Sequence, residues 1–301
     1  MFIEWALRKF TKTISKLSPG FAFLVAKKLS AFAFLLKTRE SNTTKVNLRM
    51  CFPDIGRDSE AELAKESLAH SLFLFFEFSY MSFWPRDQLL PLLKKVEGRE
   101  LLDQAIGQRK GVLILVPHFG NFELLELFLG TYYDFAALYS PPKIKVFDKM
   151  LSEMRVRHGG SMFPTTTVGI KGILNQLKQG GVSAILPDQV PAEGAGVINA
   201  SFFGNPIRYM SLAQRIIQKT GCNVVMASVT RKFSANKLNY NLIFRQPFSG
   251  LYSSDPSVHG YALKKSIEQV VVESPAQYQW EYKIFKGNLT ETTPRDIYLR
   301  Q

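Results

Sequence analysis

The stretch Gly111-Val-Leu-Ile-Leu-Val-Pro-His118-Phe-Gly-Asn-Phe-Glu123 decides how this chain folds. An apolar run of residues that favour β-strands ends at Pro117, and a histidine, a small-residue turn and a carboxylate follow it. This order predicts a buried strand, a turn and the start of a helix. Ligands bind in open α/β sheets at the carboxyl ends of the strands, so the two reactive side chains lie where a site is expected.

The spacing of His118 and Glu123 limits how the two side chains can meet. Five residues on one continuous helix would point them about 140° apart, so the histidine must precede the helix. Gly120 allows the bend, Asn121 suits the N-cap, and Glu123 then lies in the first turn, where the helix dipole favours its ionised form. We therefore expect Glu123 to orient His118 as a general base. The alternative is a loop histidine that caps a neighbouring group and a glutamate that only suits the dipole.

Helical and strand-like patterns alternate from about residue 98 onward. Such alternation predicts an α/β fold, with a mainly parallel twisted sheet and helices on both faces. Before that point a helical pattern runs over 58–84, and it is apolar nearly all round over 72–83. The predicted strands are 112–116, 135–139, 182–186, 223–229 and 238–244. The predicted helices are 100–108, 122–129, 144–157, 170–178, 209–220, 261–272 and a segment near 275–285.

The first 49 residues differ in charge from the rest of the chain. They hold ten Lys or Arg against two acids, which is +8 of the net +13 carried by all 301 residues. Basic and apolar side chains at helical spacing are typical of a helix that lies in a membrane interface. Lys27 and Lys28 interrupt the apolar run, and the pieces are shorter than the roughly 20 residues of a membrane span. We expect a membrane-associating segment at 1–49 and a single α/β domain at 50–301; the alternative is a helix that packs on the protein's own core.

Several classes of protein are disfavoured by what the sequence lacks. The two cysteines, Cys51 and Cys222, lie far apart and suggest no disulfide framework. The chain has no Gly-x-Ser-x-Gly elbow, no P-loop and no Gly-x-Gly-x-x-Gly motif. It has only four histidines and no His-Glu-x-x-His, so we expect no metal and no cofactor. Its aromatic residues are mostly Phe within apolar runs, so we expect no nucleic-acid partner.

Other polar side chains follow the ends of predicted elements. Asp188 and Gln189 come after strand 182–186, and by the same strand-end rule they should face the crevice that holds His118; a simple Pro-Asp turn is the alternative. Arg155 and Arg157 end helix 144–157, where the dipole favours cations. Their functional interpretation is binding of a phosphate or stabilisation of an oxyanion.

Six strings of residues together resemble the late acyltransferases of lipid A biosynthesis, the lauroyl/myristoyl type. They lie at 47–54, 116–123, 155–159, 186–189, 202–204 and 278–286, in the order of that family. The His-x4-acid box alone is shared with glycerolipid acyltransferases. That branch would be expected to carry a Phe-Pro-Glu-Gly-type box, where this chain has Phe163-Pro-Thr-Thr.

The resemblance implies an O-acyltransferase that moves a fatty acyl group from acyl carrier protein to a hydroxyl of a lipid A precursor. It implies a place at the cytoplasmic face of the bacterial inner membrane, in contact with phospholipid, and a monomer is our default. One alternative is a member of the same family with another glycolipid or an aminolipid as acceptor. A non-catalytic lipid-binding protein that keeps the fold is a further alternative.

Site residues follow from the resemblance by position. His118 and Glu123 become the catalytic pair: the histidine deprotonates the acceptor hydroxyl, and backbone amides near Gly120 or an arginine stabilise the oxyanion. Of the two arginines we favour Arg157. The supporting or substrate-binding residues are Asn121, Arg155, Arg157, Asp188 and Gln189. By composition, the candidates for an acyl groove are Phe119, Phe202 and Phe203, and a packed loop is the alternative for 201–208.

Overall fold

The computed structural model describes residues 2–139, 145–191, 196–234, 237–286 and 297–298. These residues contain nine strands and eleven α-helices. The strands are β1 (Leu93–Glu97), β2 (Val112–Leu115), β3 (Phe135–Tyr139), β4 (Ser161–Pro164), β5 (Val182–Ile185), β6 (Val197–Phe202), β7 (Asn205–Met210), β8 (Asn223–Ser234) and β9 (Lys237–Arg245). The helices are α1 (Phe2–Ile14), α2 (Pro19–Leu35), α3 (Arg39–Cys51), α4 (Arg57–Phe83), α5 (Arg86–Leu89), α6 (Arg99–Gly107), α7 (Phe122–Tyr132), α8 (Lys145–Arg157), α9 (Thr167–Lys178), α10 (Leu212–Thr220) and α11 (Pro256–Glu273).

A seven-stranded sheet in the order β1-β9-β8-β2-β5-β3-β4 forms the centre of the fold, and β6 and β7 form a separate hairpin. Strands β8, β2, β5, β3 and β4 are parallel to one another, whereas β9 is antiparallel to β8 and pairs in parallel with β1. Every residue of β2 and β5 is buried, as expected where helices cover both faces of a parallel sheet. The predicted α/β class and the mainly parallel sheet are therefore confirmed.

The structure differs from the predicted elements in two places near the site. The predicted helix 209–220 begins only at Leu212, because Tyr209 and Met210 end strand β7. The predicted helix near 275–285 is wrong: a single 3-10 turn spans Pro275–Gln277, and the chain beyond it is not helical. Tyr278 instead pairs with Phe119 in an isolated β-bridge, and Trp280 is fully buried in the core.

Short strands at the edges escaped prediction for identifiable reasons. Strand β1 reads Leu-Lys-Lys-Val-Glu and is half exposed, so it lacks the apolar run of the central strands. Strand β4 has four residues and ends in a proline, which removes a ladder donor. The hairpin β6–β7 packs on α11 and lies outside the main sheet.

The N-terminal helices pack on α4 and also expose apolar side chains. Phe23 of α2 contacts Phe73 and His70 of α4, with ring centroids 5.3 and 4.9 Å apart. Helix α3 crosses the boundary predicted at residue 49. No single helix of the described chain is long and apolar enough to cross a bilayer, although the pair Glu4–Ile14 and Pro19–Leu35, bent by 113°, passes that test of length and composition. The large apolar side chains that α1, α2 and the residue after α2 expose are Trp5, Phe10, Phe21, Leu24, Leu29, Phe32, Leu35 and Leu36.

Candidate active site

The register of two neighbouring strands brings His118 to Asp188. Leu115 of β2 lies opposite Ile185 of β5, and each of the two reactive residues follows its strand by three positions. His118 Nδ1 lies 2.7 Å from Asp188 Oδ1, and the His118 backbone N–H donates to Oδ2 at 2.9 Å. The structure thus joins two residues that the strand-end rule assigned to one crevice.

The Asp188 carboxylate is held in its charged form. Only 2% of the residue is exposed. Burial by itself raises its pKa, but the charges of His118 and Lys264 and the hydrogen bonds from His118 outweigh that effect, and the pKa lies below its ordinary value. An ionised carboxylate can only accept hydrogen bonds, so the neutral tautomer of His118 that fits this contact carries its proton on Nδ1. The other ring nitrogen, Nε2, is therefore the basic one.

Gln189 covers the basic nitrogen of His118. Its Nε2 lies 3.0 Å from the His118 Nε2, within reach for an amide N–H to donate to the ring. The His118 side chain is 17% exposed, whereas Asp188 is 1% exposed. The imidazole is therefore the accessible member of the pair, and the carboxylate is buried.

Glu123 has a different partner from the one that its sequence position predicted. It lies in the first turn of α7, as expected, and Asn121 caps that helix by accepting the Leu124 N–H at 3.1 Å. Both carboxylate oxygens of Glu123 bind Arg155, at 2.6 Å to Nη2 and 3.2 Å to Nε. Asp188 binds His118 Nδ1 and Glu123 binds Arg155, so the structure does not show the expected orientation of the ring by Glu123. No contact in the described part of the chain joins Glu123 to His118.

Arg155 holds a second carboxylate one helical turn further along α7. Its Nε lies 3.1 Å from Glu126 Oε2, an ion pair without the alignment of a hydrogen bond. Burial, and then the charge of Glu123, raise the pKa of Glu126 to about 8. Burial lowers the pKa of Arg155, but the two carboxylates outweigh it and raise that pKa above its ordinary value. The guanidinium therefore stays charged next to the first turns of α7.

Arg157, which the sequence favoured, contacts another part of the fold. Its Nη2 donates to the backbone carbonyl of Met81 at the end of α4, and burial lowers its pKa. The side chain lies on an exposed position of α8. The described contacts therefore connect Arg155, and not Arg157, to the helix that follows the histidine.

The backbone amides of the turn after His118 already have acceptors. The N–H groups of Phe119, Gly120 and Asn121 donate to the carbonyls of Pro117, Gln277 and Val229, at 2.7, 2.9 and 3.1 Å. Gly120 has φ +57°, a conformation that favours glycine. The expectation that amides near Gly120 bind the oxyanion is therefore not met in this conformation.

The segment after α11 binds the backbone of the histidine turn. The Gln279 N–H donates to the His118 carbonyl at 3.0 Å, and Asn47 of α3 holds this segment by donating to the Trp280 and Tyr282 carbonyls at 2.6 and 2.7 Å. Two of the strings noted in the sequence, 47–54 and 278–286, thus meet in space. Their joint role is to fix the backbone of the histidine turn.

The three phenylalanines proposed for an acyl groove lie in or against the packed interior. Phe119 and Phe202 are each 1% exposed and belong to the core between the sheet and α11. Phe203 is half-buried and packs on Phe52 and Trp280, with ring centroids 5.0 and 6.5 Å away. The segment 201–208 is packed, as the alternative expected, but it belongs to the β6–β7 hairpin and is not a loop. The acyl groove stays a prediction.

Sequence reasoning missed Arg231 and Gln277, which contact the histidine turn, and Glu77, which binds Arg231. Arg231 Nη2 donates to the Gly120 carbonyl at 2.9 Å, and Glu77 binds Arg231. A usable signal was present, because Glu77 interrupts Phe75-Phe-Glu-Phe78 and Arg231 directly follows the mainly apolar run 224–230. Charged residues inside buried segments are rare unless they are paired.

Comparison with known proteins gives consistent similarities. A family profile described as "Bacterial lipid A biosynthesis acyltransferase" matches residues 1–287. The chain is 25% identical over 251 residues to the lipid A biosynthesis palmitoleoyltransferase of Escherichia coli K12, which covers 83% of this chain and 80% of that protein. It is 22% identical over 258 residues to the lauroyltransferase of the same organism, with 86% and 83% covered. The corresponding myristoyltransferase is 22% identical over 287 residues, with 93% and 87% covered.

Proposed function

Because this chain belongs to the bacterial lipid A biosynthesis acyltransferase family, we propose that it moves a fatty acyl group from the thioester of acyl carrier protein to a hydroxyl of a lipid A precursor. The enzyme class itself, an O-acyltransferase of the late lipid A type, follows from the family. The finer proposal depends chiefly on one observation, the 2.7 Å contact between His118 and the buried Asp188.

In this proposal His118 is the general base and Asp188 is its orienting partner. The acceptor hydroxyl displaces the Gln189 amide and gives its proton to Nε2 as its oxygen attacks the thioester carbonyl. Asp188 stabilises the imidazolium that forms. The tetrahedral intermediate then expels the thiolate, which takes the proton from the imidazolium and leaves as a thiol. Base catalysis of this kind contributes roughly 10²–10⁴-fold to the rate.

Arg155 is the proposed stabiliser of the oxyanion. Charge develops on the former carbonyl oxygen, and a preorganised cation in a partly dry site lowers the energy of that charge. The amides of residues 119–121 donate elsewhere, and Arg157 is bound to Met81, which leaves Arg155 as the arginine connected to α7. Glu123 then acts through Arg155 as a positioning residue.

The surface chemistry supports the proposed partners and location. The net charge of +13 suits both an acidic carrier protein and a phosphorylated acceptor. Helix α2 exposes Phe21, Leu24 and Phe32 together with Lys27 and Lys28, the composition of a helix that lies in an anionic membrane interface. We propose that the protein works as a monomer at the cytoplasmic face of the inner membrane.

Mass spectrometry of lipid products tests this function. The purified protein is incubated with lipid A precursor and a panel of acyl carrier protein thioesters, and His118→Ala serves as the inactive variant. The matched control is His259→Gln, which changes a buried histidine whose Nδ1 contacts the Leu251 carbonyl. We expect a mass gain of one acyl group in the natural and control proteins and none in His118→Ala.

The acceptor is tested in parallel with a glycolipid and an aminolipid. Acylation of one of these in place of the lipid A precursor would contradict the proposed acceptor and keep the chemistry. No acylation of any lipid by a folded protein would contradict the proposed reaction. Activity retained by His118→Ala would refute the role of the histidine.

A further inference from the structure

A fully buried ion pair lies next to the histidine turn. Arg231 of β8 and Glu77 of α4 are 3% and 2% exposed. Arg231 Nε donates to Glu77 Oε1 at 2.7 Å, and Nη2 donates to Oε2 at 2.6 Å, which is the bidentate arrangement of a strong pair. A buried pair like this is often no more stabilising than apolar residues of the same volume, so stability alone does not explain it.

The pair holds the carbonyl of Gly120. Besides binding Glu77, Arg231 Nη2 donates to the Gly120 oxygen at 2.9 Å. The backbone of Arg231 also binds the Gln277 side chain twice: its N–H donates to Oε1 at 2.8 Å, and its carbonyl accepts from Nε2 at 3.0 Å. Gln277 in turn accepts the Gly120 N–H on its backbone carbonyl. Both polar groups of Gly120 are thus fixed by Arg231, one directly and one through Gln277.

Glu77 extends the same network to the next residue of the turn. The Tyr240 hydroxyl donates to Glu77 Oε1 at 2.7 Å and accepts from Asn121 Nδ2 at 3.4 Å. Asn121 caps α7, the helix that carries Glu123. The ion pair is therefore linked to two consecutive residues of the turn, to Gly120 directly and to Asn121 through the Tyr240 hydroxyl.

We infer that Glu77 and Arg231 are positioning residues for acyl transfer, which place His118 by fixing the Gly120 carbonyl and the Asn121 side chain. This inference rests on the proposed role of His118. Gly120 lies at φ +57° with its Cα against the Val229 carbonyl, so the turn has little room to adjust. A displacement of about 1 Å at a reacting group can lower the rate by roughly 100-fold.

The competing explanation is that the pair only stabilises the fold, and a double variant separates the two. Replacing both partners by apolar residues, Glu77→Met with Arg231→Met, removes the buried charges together and should largely preserve stability. It also removes the donor to the Gly120 carbonyl. If the pair is purely structural, the double variant should keep both its stability and its activity. If the pair positions the turn, the double variant should keep its stability and lose activity relative to the natural protein.

The experiment measures thermal unfolding, kcat and KM for the natural protein and the double variant. We expect a similar unfolding temperature, a kcat about 100-fold lower and a KM for the acyl donor within about twofold. The control is Arg245→Met on β9, which breaks the pair with Glu273 and should leave kcat near its natural value. A double variant with natural stability and natural kcat would overturn the inference.

A second variant covers the case in which the double variant does not fold. Arg231→Lys keeps the buried charge but has one ammonium in place of the guanidinium fork, so it cannot reproduce all three donor contacts. We expect the Arg231→Lys variant to fold and to have a lower kcat. We also expect its His118 Nδ1 proton resonance to be broadened or shifted. An unchanged resonance and kcat would contradict the inference. The resonance is read without substrate, so it still tests the positioning role if the proposed reaction fails.

Discussion

Replacing Asp188 by asparagine should reverse the proton arrangement of the His118 ring. In the natural protein one oxygen of Asp188 accepts the His118 backbone N–H and the other faces Nδ1. The asparagine oxygen must keep the backbone contact, because that N–H would otherwise be left without an acceptor. Its NH₂ group then faces Nδ1 and donates to it, which moves the ring proton to Nε2. A ring with a proton on Nε2 cannot accept one from the substrate.

The expected loss is large because the side chain keeps its volume and loses only the correct tautomer. The same change in a Ser-His-Asp triad lowers kcat by about 10⁴-fold. We expect a decrease of roughly 10³–10⁴-fold here, or about 4–5 kcal/mol in the activation free energy.

The assay is steady-state acyl transfer, with Glu123→Gln as the matched comparison. Glu123→Gln also neutralises one carboxylate near the turn, but it acts on Arg155, and we expect a smaller loss. Our reasoning would be refuted if the kcat of Asp188→Asn lay within tenfold of the natural value while the kcat of Glu123→Gln fell much further. In that case Glu123, and not Asp188, would orient His118 during the reaction.

The same variant has a pH signature in stability. The pKa of Asp188 is lowered from its ordinary value of 3.8 in the folded protein, so the folded state binds fewer protons than the unfolded chain in that range. The stabilisation is complete above the ordinary pKa and is lost as the pH falls through the folded value. The unfolding temperatures of the natural protein and of Asp188→Asn should therefore differ at neutral pH and converge in acid.

Three further predictions follow from described contacts. Gly120→Ala should abolish acyl transfer in the same assay, because its Cβ would overlap the Val229 carbonyl oxygen and its φ is +57°; an active variant would show that the turn can move. Burial is the main cause that raises the pKa of Glu126 from 4.5 to about 8, so this residue destabilises the folded state increasingly as the pH rises above 4.5. Glu126→Gln should therefore raise the unfolding temperature more at pH 8 than at pH 5, and the opposite trend would contradict that pKa. Leu35→Ser should weaken binding to anionic vesicles by roughly tenfold, since Leu35 is 76% exposed. Tyr261→Ser on α11, where the aromatic side chain is also exposed, should leave vesicle binding unchanged; equal losses would argue against the N-terminal surface.

Sequence reasoning predicted the half of the site that depends on strand ends. His118 and Asp188 each follow a central strand, and parallel strands in equal register bring such positions together. The N-cap role of Asn121 and the place of Glu123 in the first turn depend only on local chain geometry, and both are found.

The partner of Glu123 could not be predicted because it comes from a distant helix. The spacing in the sequence determines where the carboxylate lies on α7. Its partner Arg155 belongs to α8, 32 positions later in the chain. The anchors of the turn are more distant still: Glu77 and Arg231 lie 154 positions apart in the chain. The segment near 275–285 was predicted to be a helix because the sequence pattern gives no information on the pairing of Tyr278 with Phe119.

The histidine turn cannot be fixed during protein synthesis until Gln277 and Gln279, which form hydrogen bonds to it, have been added to the chain. The ribosome makes the apolar helices α1 and α2 about 240 residues before it makes these glutamines, an interval of roughly 12–50 s at 5–20 residues per second. A nascent chain therefore presents its lipid-compatible surface long before its histidine is fixed in place. Under the proposed function, the growing polypeptide would reach a bilayer before it could transfer an acyl group.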